Sequence, residues 1–118
     1  MTAADMAQTI FDRITSGAGN AVGRPAVIDK NNSTIDRALR ELVEKANRNG
    51  DCIINAGDGY FRPIPGSVVD EYYFHEYIVK EKSRVKELEK KISTMETTYE
   101  MWEKEAISEQ HQLFAENK

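Results

Sequence analysis

Residues 33–65 read STIDRALRELVEKANRNGDCIINAGDGYFRPIP, an amphipathic helix followed by a hairpin. Ile35, Leu39, Leu42, Val43 and Ala46 recur at spacings of three and four, which lays one apolar stripe along a helix and sets its other face to water. Ser33 is expected to cap that helix, with Asp36 three residues on in the manner of a capping box. Gly50, after Asn49, supplies the left-handed stop. Cys52-Ile53-Ile54-Asn55 and Tyr60-Phe61-Arg62-Pro63-Ile64 then read as two short strands around Ala56-Gly57-Asp58-Gly59, where Asp-Gly is the turn signal. Pro63 cannot donate to a ladder, so the second strand is expected at an edge.

Upstream, Met6, Ala7, Ile10, Phe11 and Ile14 fall at helical spacing, predicting a first helix over residues 3–15 that ends at Ser16-Gly17. A loop follows at Gly17-Ala18-Gly19-Asn20. Pro25 suits the first turn of a short second helix reaching Lys30, because its missing N–H would have been unpaired there in any case. Asn31-Asn32 is read as the turn into the third helix. The expected core is Ile10, Phe11, Ile14, Val27, Ile28, Ile35, Leu39, Leu42, Val43, Ile53 and Phe61.

Downstream, a seven-residue repeat takes over. Ile78, Val85, Ile92, Tyr99, Ala106 and Leu113 occupy the a positions, and Phe74, Glu81, Leu88, Met95, Trp102 and Glu109 the d positions. A stripe with a 3.5-residue period stays on one side only of an under-wound helix, so it points to a coiled coil. Phe74, Ile78, Val85, Leu88, Ile92, Met95, Tyr99 and Trp102 are the expected dimerisation residues. β-branched residues at a with Leu at d favour two strands in a parallel pair, where Arg84 would meet Glu89 and Lys91 would meet Glu96. These exposed pairs are worth only about 0.3–0.5 kcal/mol each, so at this level the orientation stays open. Glu81 is a flaw in the seam, and Tyr99 and Trp102 are wide for two strands. Tyr72, Tyr73, Phe74 and Tyr77, at the base of this helix, are expected to pack it against the front domain.

The order helix, helix, helix, hairpin, long helix is the plan of a winged helix-turn-helix. The expected fold is therefore mainly α within an α+β class: a winged-helix domain over residues 1–66 with a two-stranded hairpin wing, then a long C-terminal coiled-coil helix over 67–118. The stretch 33–65, the acidic start at Asp70-Glu71 and the long helix with Arg84 together resemble the small winged-helix proteins encoded in phage and prophage genomes of Gram-positive bacteria. The resemblance spans residues 3–95 and implies a DNA-binding or phage-regulatory role. One departure is GNAVGRPAVIDKNNS, residues 19–33, which is looser and richer in glycine than the compact second helix of that family.

On the third helix, Ser33, Thr34, Arg37 and Arg40 lie toward the end that enters a major groove in this architecture, and arginine grips guanine bidentately. Arg24, Lys30, Arg48 and Arg62 are the candidates for phosphate contact. Against them stand Asp29, Asp36, Glu41 and Glu44, a balance less lopsided than a strongly DNA-binding surface. The wing tip carries no cation.

Charge and composition bound the rest. Of the net charge of −4, residues 1–66 contribute nothing, with 8 basic and 8 acidic side chains, and the long helix contributes all of it. A solvated coiled coil accounts for that excess. The single Cys52 excludes an intramolecular disulfide and reads as a buried, inert thiol. The first residues lack the basic start and apolar core of an export signal, and no run approaches ~18 apolar residues, so a cytoplasmic protein without membrane contact is expected. Asn32-Ser33-Thr34 is then an idle glycosylation pattern. Gly17, Gly19 and Gly23 lack the preceding strand and the Lys-Ser/Thr of a phosphate-binding loop. Glu71 and His75, four apart, are too few ligands for a metal. No enzyme activity, cofactor or metal is expected. Two functions fit: a homodimeric regulator or replication accessory acting on double-stranded DNA, or an interaction adaptor, such as a phage-encoded modulator of a host protein, that does not bind DNA.

Overall fold

The computed structural model describes residues 2–23, 30–56 and 59–116. Among them are three α-helices, α1 (Ala3–Phe11), α2 (Lys30–Arg48) and α3 (Val68–Glu116), a 3-10 turn at Ala18–Asn20, and an antiparallel hairpin of β1 (Ile54–Ala56) and β2 (Gly59–Phe61). The chain divides into two compact units, Met1–Val79 and Lys80–Lys118. The first turns of α3 thus belong to the front unit, beyond the expected boundary at residue 66. No helix among the described residues is long and apolar enough to cross a membrane.

Helix α1 starts with a complete capping box. The Asp5 amide donates to Thr2 Oγ1 at 3.1 Å, and the Thr2 amide donates to the Asp5 carboxylate at 3.1 Å. It stops at Phe11, short of the expected residue 15. The Arg13 and Ile14 amides turn back to the carbonyls of Ile10 and Phe11 at 3.0 Å, tightening the chain into i→i+3 bonds before it straightens.

Helix α2 corrects the reading of its own start. Asn31 and Asn32 lie inside the helix instead of forming a turn, and Ser33 is in its first turn rather than at a cap. Asp36 is a buried side chain, 4% exposed, paired with Arg40 at 3.3 Å, instead of a cap partner. The expected second helix from Pro25, with Val27 and Ile28 of the expected core, lies outside the described residues. The stop is as expected: Gly50 has φ 103°, and the Asp51 amide reaches back to the Ala46 carbonyl at 3.0 Å, the long bond of a Schellman motif.

The hairpin pairs Ile54 with Phe61, Asn55 with Tyr60 and Ala56 with Gly59. Its strands are shorter than predicted, and Cys52 and Ile53 stay outside. Asn47 explains the offset. Its side-chain amide donates to the Ile53 carbonyl at 2.9 Å and its oxygen accepts the Ile53 amide at 2.7 Å, so α2 holds the backbone that a strand would otherwise have paired. Nor is β2 an edge. Tyr60 exchanges two backbone bonds with Val22, at 2.8 and 2.9 Å, while the Arg62 amide donates to the Thr15 carbonyl at 2.8 Å and the Gly17 amide to the Arg62 carbonyl at 2.9 Å. Pro63 escapes the ladder by standing one residue beyond it. Residues 16–22 are accordingly held beside β2 at two points, and of the stretch 19–33 read as loose, residues 24–29 lie outside the described residues.

With neighbours on both sides, β2 is buried throughout. Tyr60 joins Ala7, Ile14, Ile35, Leu39, Val43 and Ile53 in the core between α1 and α2, with Ile10, Phe11, Leu42 and Ala46 packed around them. Ile54 and Phe61, opposite each other in register, are 2% and 1% exposed, and Tyr73 of α3 packs edge-on against Phe61 at 6.1 Å. Burying a ring of that size contributes about 1.5–3 kcal/mol. Asp70 completes the attachment. Only 3% exposed, its two carboxylate oxygens accept the amides of Ala18 at 3.1 Å and Ile64 at 2.8 Å, while its own amide donates to Ser67 Oγ at 3.3 Å.

Candidate nucleic-acid interface

The buried stripe of α2 settles which side of the helix is free. Ile35, Leu39 and Val43 point into the core, and Ser33, Thr34, Arg37, Arg40, Glu41, Glu44, Lys45 and Arg48 are exposed. Four of the expected DNA-contact residues, Ser33, Thr34, Arg37 and Arg40, thus share the first half of one solvent-facing helix surface, with Arg48 at its far end. Lys30 opens the helix, and Arg24 lies outside the described residues. Arg40 is held from behind by Asp36, its side chain still 54% exposed. That bond fixes where the guanidinium projects, and it also lowers the positive potential the helix offers.

Arg62 has a different occupation. Nε and Nη2 make a fork to the two carboxylate oxygens of Asp51, both at 2.8 Å, and Nη1 donates to the Ile14 carbonyl at 2.6 Å. Three of the guanidinium's five donors are therefore used in joining the exits of α1, α2 and β2. The fork holds the Asp51 carboxyl below the usual carboxylate range, helped by the Cys52 amide, and in turn raises Arg62. Because the folded pKa of Asp51 is depressed, its stabilisation is present above the unfolded value and lost as pH falls through the folded one. Both side chains are about a third exposed, 33% and 29%, so solvent weakens the pair. Arg62→Ala is expected to cost about 1–2 kcal/mol at neutral pH, a gap that narrows below pH ~4 in acid denaturation. Arg62→Lys should recover only part of it, since one ammonium cannot span both carboxylate oxygens and the Ile14 carbonyl. Full recovery would show that charge alone matters.

The hairpin offers little to a ligand. Asn55 and Ala56 are half-buried, and Gly57 and Asp58 at the tip lie outside the described residues.

A pocket of about 390 Å³ opens between the β2 exit and the start of α3, lined by Cys52, Pro63, Ile64, Pro65, Glu71, Phe74 and His75. Cys52 is thus exposed, not buried as expected, because Asn47 holds the chain at Ile53 and the strand begins only at Ile54. Partial burial of its thiol against the pocket wall, with the Asp51 carboxylate beside it, pushes the thiol up and keeps it in the less reactive protonated form. Glu71 accepts the Gly66 amide at 3.0 Å. Among the described residues no three His, Cys, Asp or Glu side chains are placed to hold a metal ion.

On α3 the heptad stripe stands open. Val85, Leu88, Ile92, Met95, Tyr99 and Trp102 are 47–62% exposed, whereas Phe74 and Ile78, within the front unit, are half-buried. Of the aromatic group at the helix base, Tyr73 makes the ring contact to Phe61, and Tyr72 stays exposed beside it.

Tyr73 packs as expected of the aromatic group, but residues to which the sequence reading gave no positioning role also do much of this work: Asn47, Asp51 and Asp70, the last read only as an acidic helix start. Ser67-Val-Val-Asp70 ahead of an apolar run is a capping-box pattern and was available as a signal. The side-chain clamp of Asn47 leaves no such trace. Comparison with known proteins gives no matching family model, no matching curated protein and no matching solved structure.

Proposed function

We propose that the protein is a dimeric DNA-binding protein of winged-helix type, a regulator or replication accessory of the phage kind, with α2 as the recognition helix and α3 as the pairing device. The observation that carries this reading is the division of α2: a fully engaged apolar stripe behind, and Ser33, Thr34, Arg37 and Arg40 exposed on its first half. Arg37 and Arg40 would read base edges, Arg48 and Lys30 would hold phosphates with Arg24, and Arg62, occupied by Asp51, would serve the domain itself. The hairpin, flanked by residues 16–22, would be a wing that shapes the domain more than it grips DNA.

A second reading, an interaction adaptor that does not bind DNA, is favoured by one observation. Arg40 and Arg62 are each paired with a carboxylate, and the chain is acidic overall.

Binding to mixed-sequence duplex DNA at low and moderate salt separates the two. A DNA-binding protein loses affinity steeply with salt because bound phosphates release counterions. On mixed sequence the Arg37→Ala, Arg40→Ala double variant, which removes two cations from the helix face, is expected to bind more weakly and with a shallower salt dependence. No binding at ~50 mM salt would reject DNA as the ligand and leave the adaptor reading.

A further inference from the structure

We propose that the α3 stripe is covered by a second copy of this chain in a parallel, in-register pair. The proposal rests on the dimeric reading above and fixes its geometry. α3 is one uninterrupted helix from Val68 to Glu116, so the heptad register holds across it without a break. The charges beside the stripe are sorted by side. Glu89, Glu96 and Glu103 stand at successive e positions on one flank, and Arg84 and Lys91 at g positions on the other, all exposed.

That sorting discriminates between orientations. A parallel pair sets g of one helix against e of the next heptad in its partner. Arg84 then meets the second copy's Glu89 and Lys91 meets its Glu96, while Tyr77–Lys82, Thr98–Glu103 and Glu105–Gln110 carry no like charges. An antiparallel pair sets e against e and g against g. Glu105 at g and Lys82 at e each find an opposite charge in some registers, but every register leaves at least one like-charged pair, as when Arg84 meets Glu105 and Glu89 is set against Glu96. Like charges facing each other are destabilising, so the parallel pair, which has none, is favoured.

The flaw at Glu81 is also accommodated. Arg84 Nη1 holds the Glu81 carboxylate at 2.8 Å on the same helix, so the acid at this d position is already matched by the cation beside it. Arg84 then stands between Glu81 of its own chain and Glu89 of the second copy. Chain connectivity alone brings both copies of residues 1–79 to the same end of such a pair, as two adjacent half-sites would need.

Single cysteines test the geometry. In a Cys52→Ser background, Glu81→Cys and Met95→Cys each put a thiol at a d position, where a parallel pair brings identical residues within disulfide reach. Equilibrated in a glutathione redox buffer, each is expected to give a roughly tenfold higher yield of covalent dimer than an outward Ser83→Cys control. Sedimentation of the unaltered chain reads the pairing itself. A dimer in which neither position cross-links to itself overturns the parallel geometry and leaves the pairing standing. A monomer overturns both. Neither result involves DNA, so the fate of the recognition helix is decided separately.

Discussion

Asp70→Ala is expected to lower the unfolding free energy by about 2–4 kcal/mol, because it leaves two part-buried backbone donors without their shared acceptor. The two donors belong to distant segments, Ala18 in the turn after α1 and Ile64 beyond β2, and the carboxylate joins both to the first turn of α3. The carboxylate itself is only 3% exposed, so water does not readily take its place, although Ile64 is 45% exposed at the rim. Asp70→Asn should fall between wild type and alanine. Its one remaining oxygen can accept either amide, and its NH₂ then faces the other as a second donor. Ser67→Ala, which removes the hydroxyl accepting the Asp70 amide, should cost only about 1 kcal/mol. For a unit of this size each kcal/mol moves the melting temperature by about 4–8 °C, so the three variants should separate clearly in thermal unfolding. Amide exchange at Ala18 and Ile64 should accelerate in Asp70→Ala ahead of the core. Wild-type stability in Asp70→Asn would show that the double acceptance is not what holds this corner.

The elements that periodicity governs were legible in the sequence, and those that depend on one side chain answering a distant backbone were not. The stripe Ile35, Leu39, Val43 predicted the inner face of α2, Gly50 its end, and Asp58-Gly59 the hairpin, because each is a local consequence of residue type. The start of α2 was misread for an equally physical reason. Ser33 and Asp36 have the spacing of a cap, but Asp36 also lies one position from the apolar stripe, and there it is buried and bonded to Arg40. Arg62 shows the same limit in the candidate site. As an isolated cation beside a hairpin it reads as a phosphate ligand, and only the fold brings Asp51 and the Ile14 carbonyl to it. Cys52 was placed inside on the strength of its apolar neighbours, whereas Asn47 turns the chain at Ile53 and leaves the thiol facing a pocket. The exposed face of α2 needed no such long-range knowledge, since a helix whose stripe is engaged has only one side left.

Gly59→Ala is expected to be at least as damaging as losing Asp70, although it adds a single methyl group. Gly59 has φ 141°, a conformation that side chains rarely adopt, and a Cβ there would collide with the Val22 carbonyl and come within 2.8 Å of the Gly23 Cα. Val22 cannot retreat without cost, since it holds Tyr60 through two backbone bonds, and Tyr60 is 4% exposed in the core between α1 and α2. Backbone strain of about 1–3 kcal/mol and forced repacking of a similar size together predict a loss of about 2–6 kcal/mol. Marginal domains have only about 5–15 kcal/mol in total, so a large part of the population could unfold at 37 °C. Gly50→Ala is the control. It has φ 103° but nothing within 4 Å of the added carbon, so it carries the left-handed penalty alone, about 1–2 kcal/mol. Urea denaturation of the two variants therefore isolates the close approach of residues 22–23 to the hairpin from the backbone conformation that both glycines share. If Gly59→Ala costs no more than Gly50→Ala, residues 22–23 are not held against β2 as the backbone bonds imply, and the hairpin is freer to move than the fold requires.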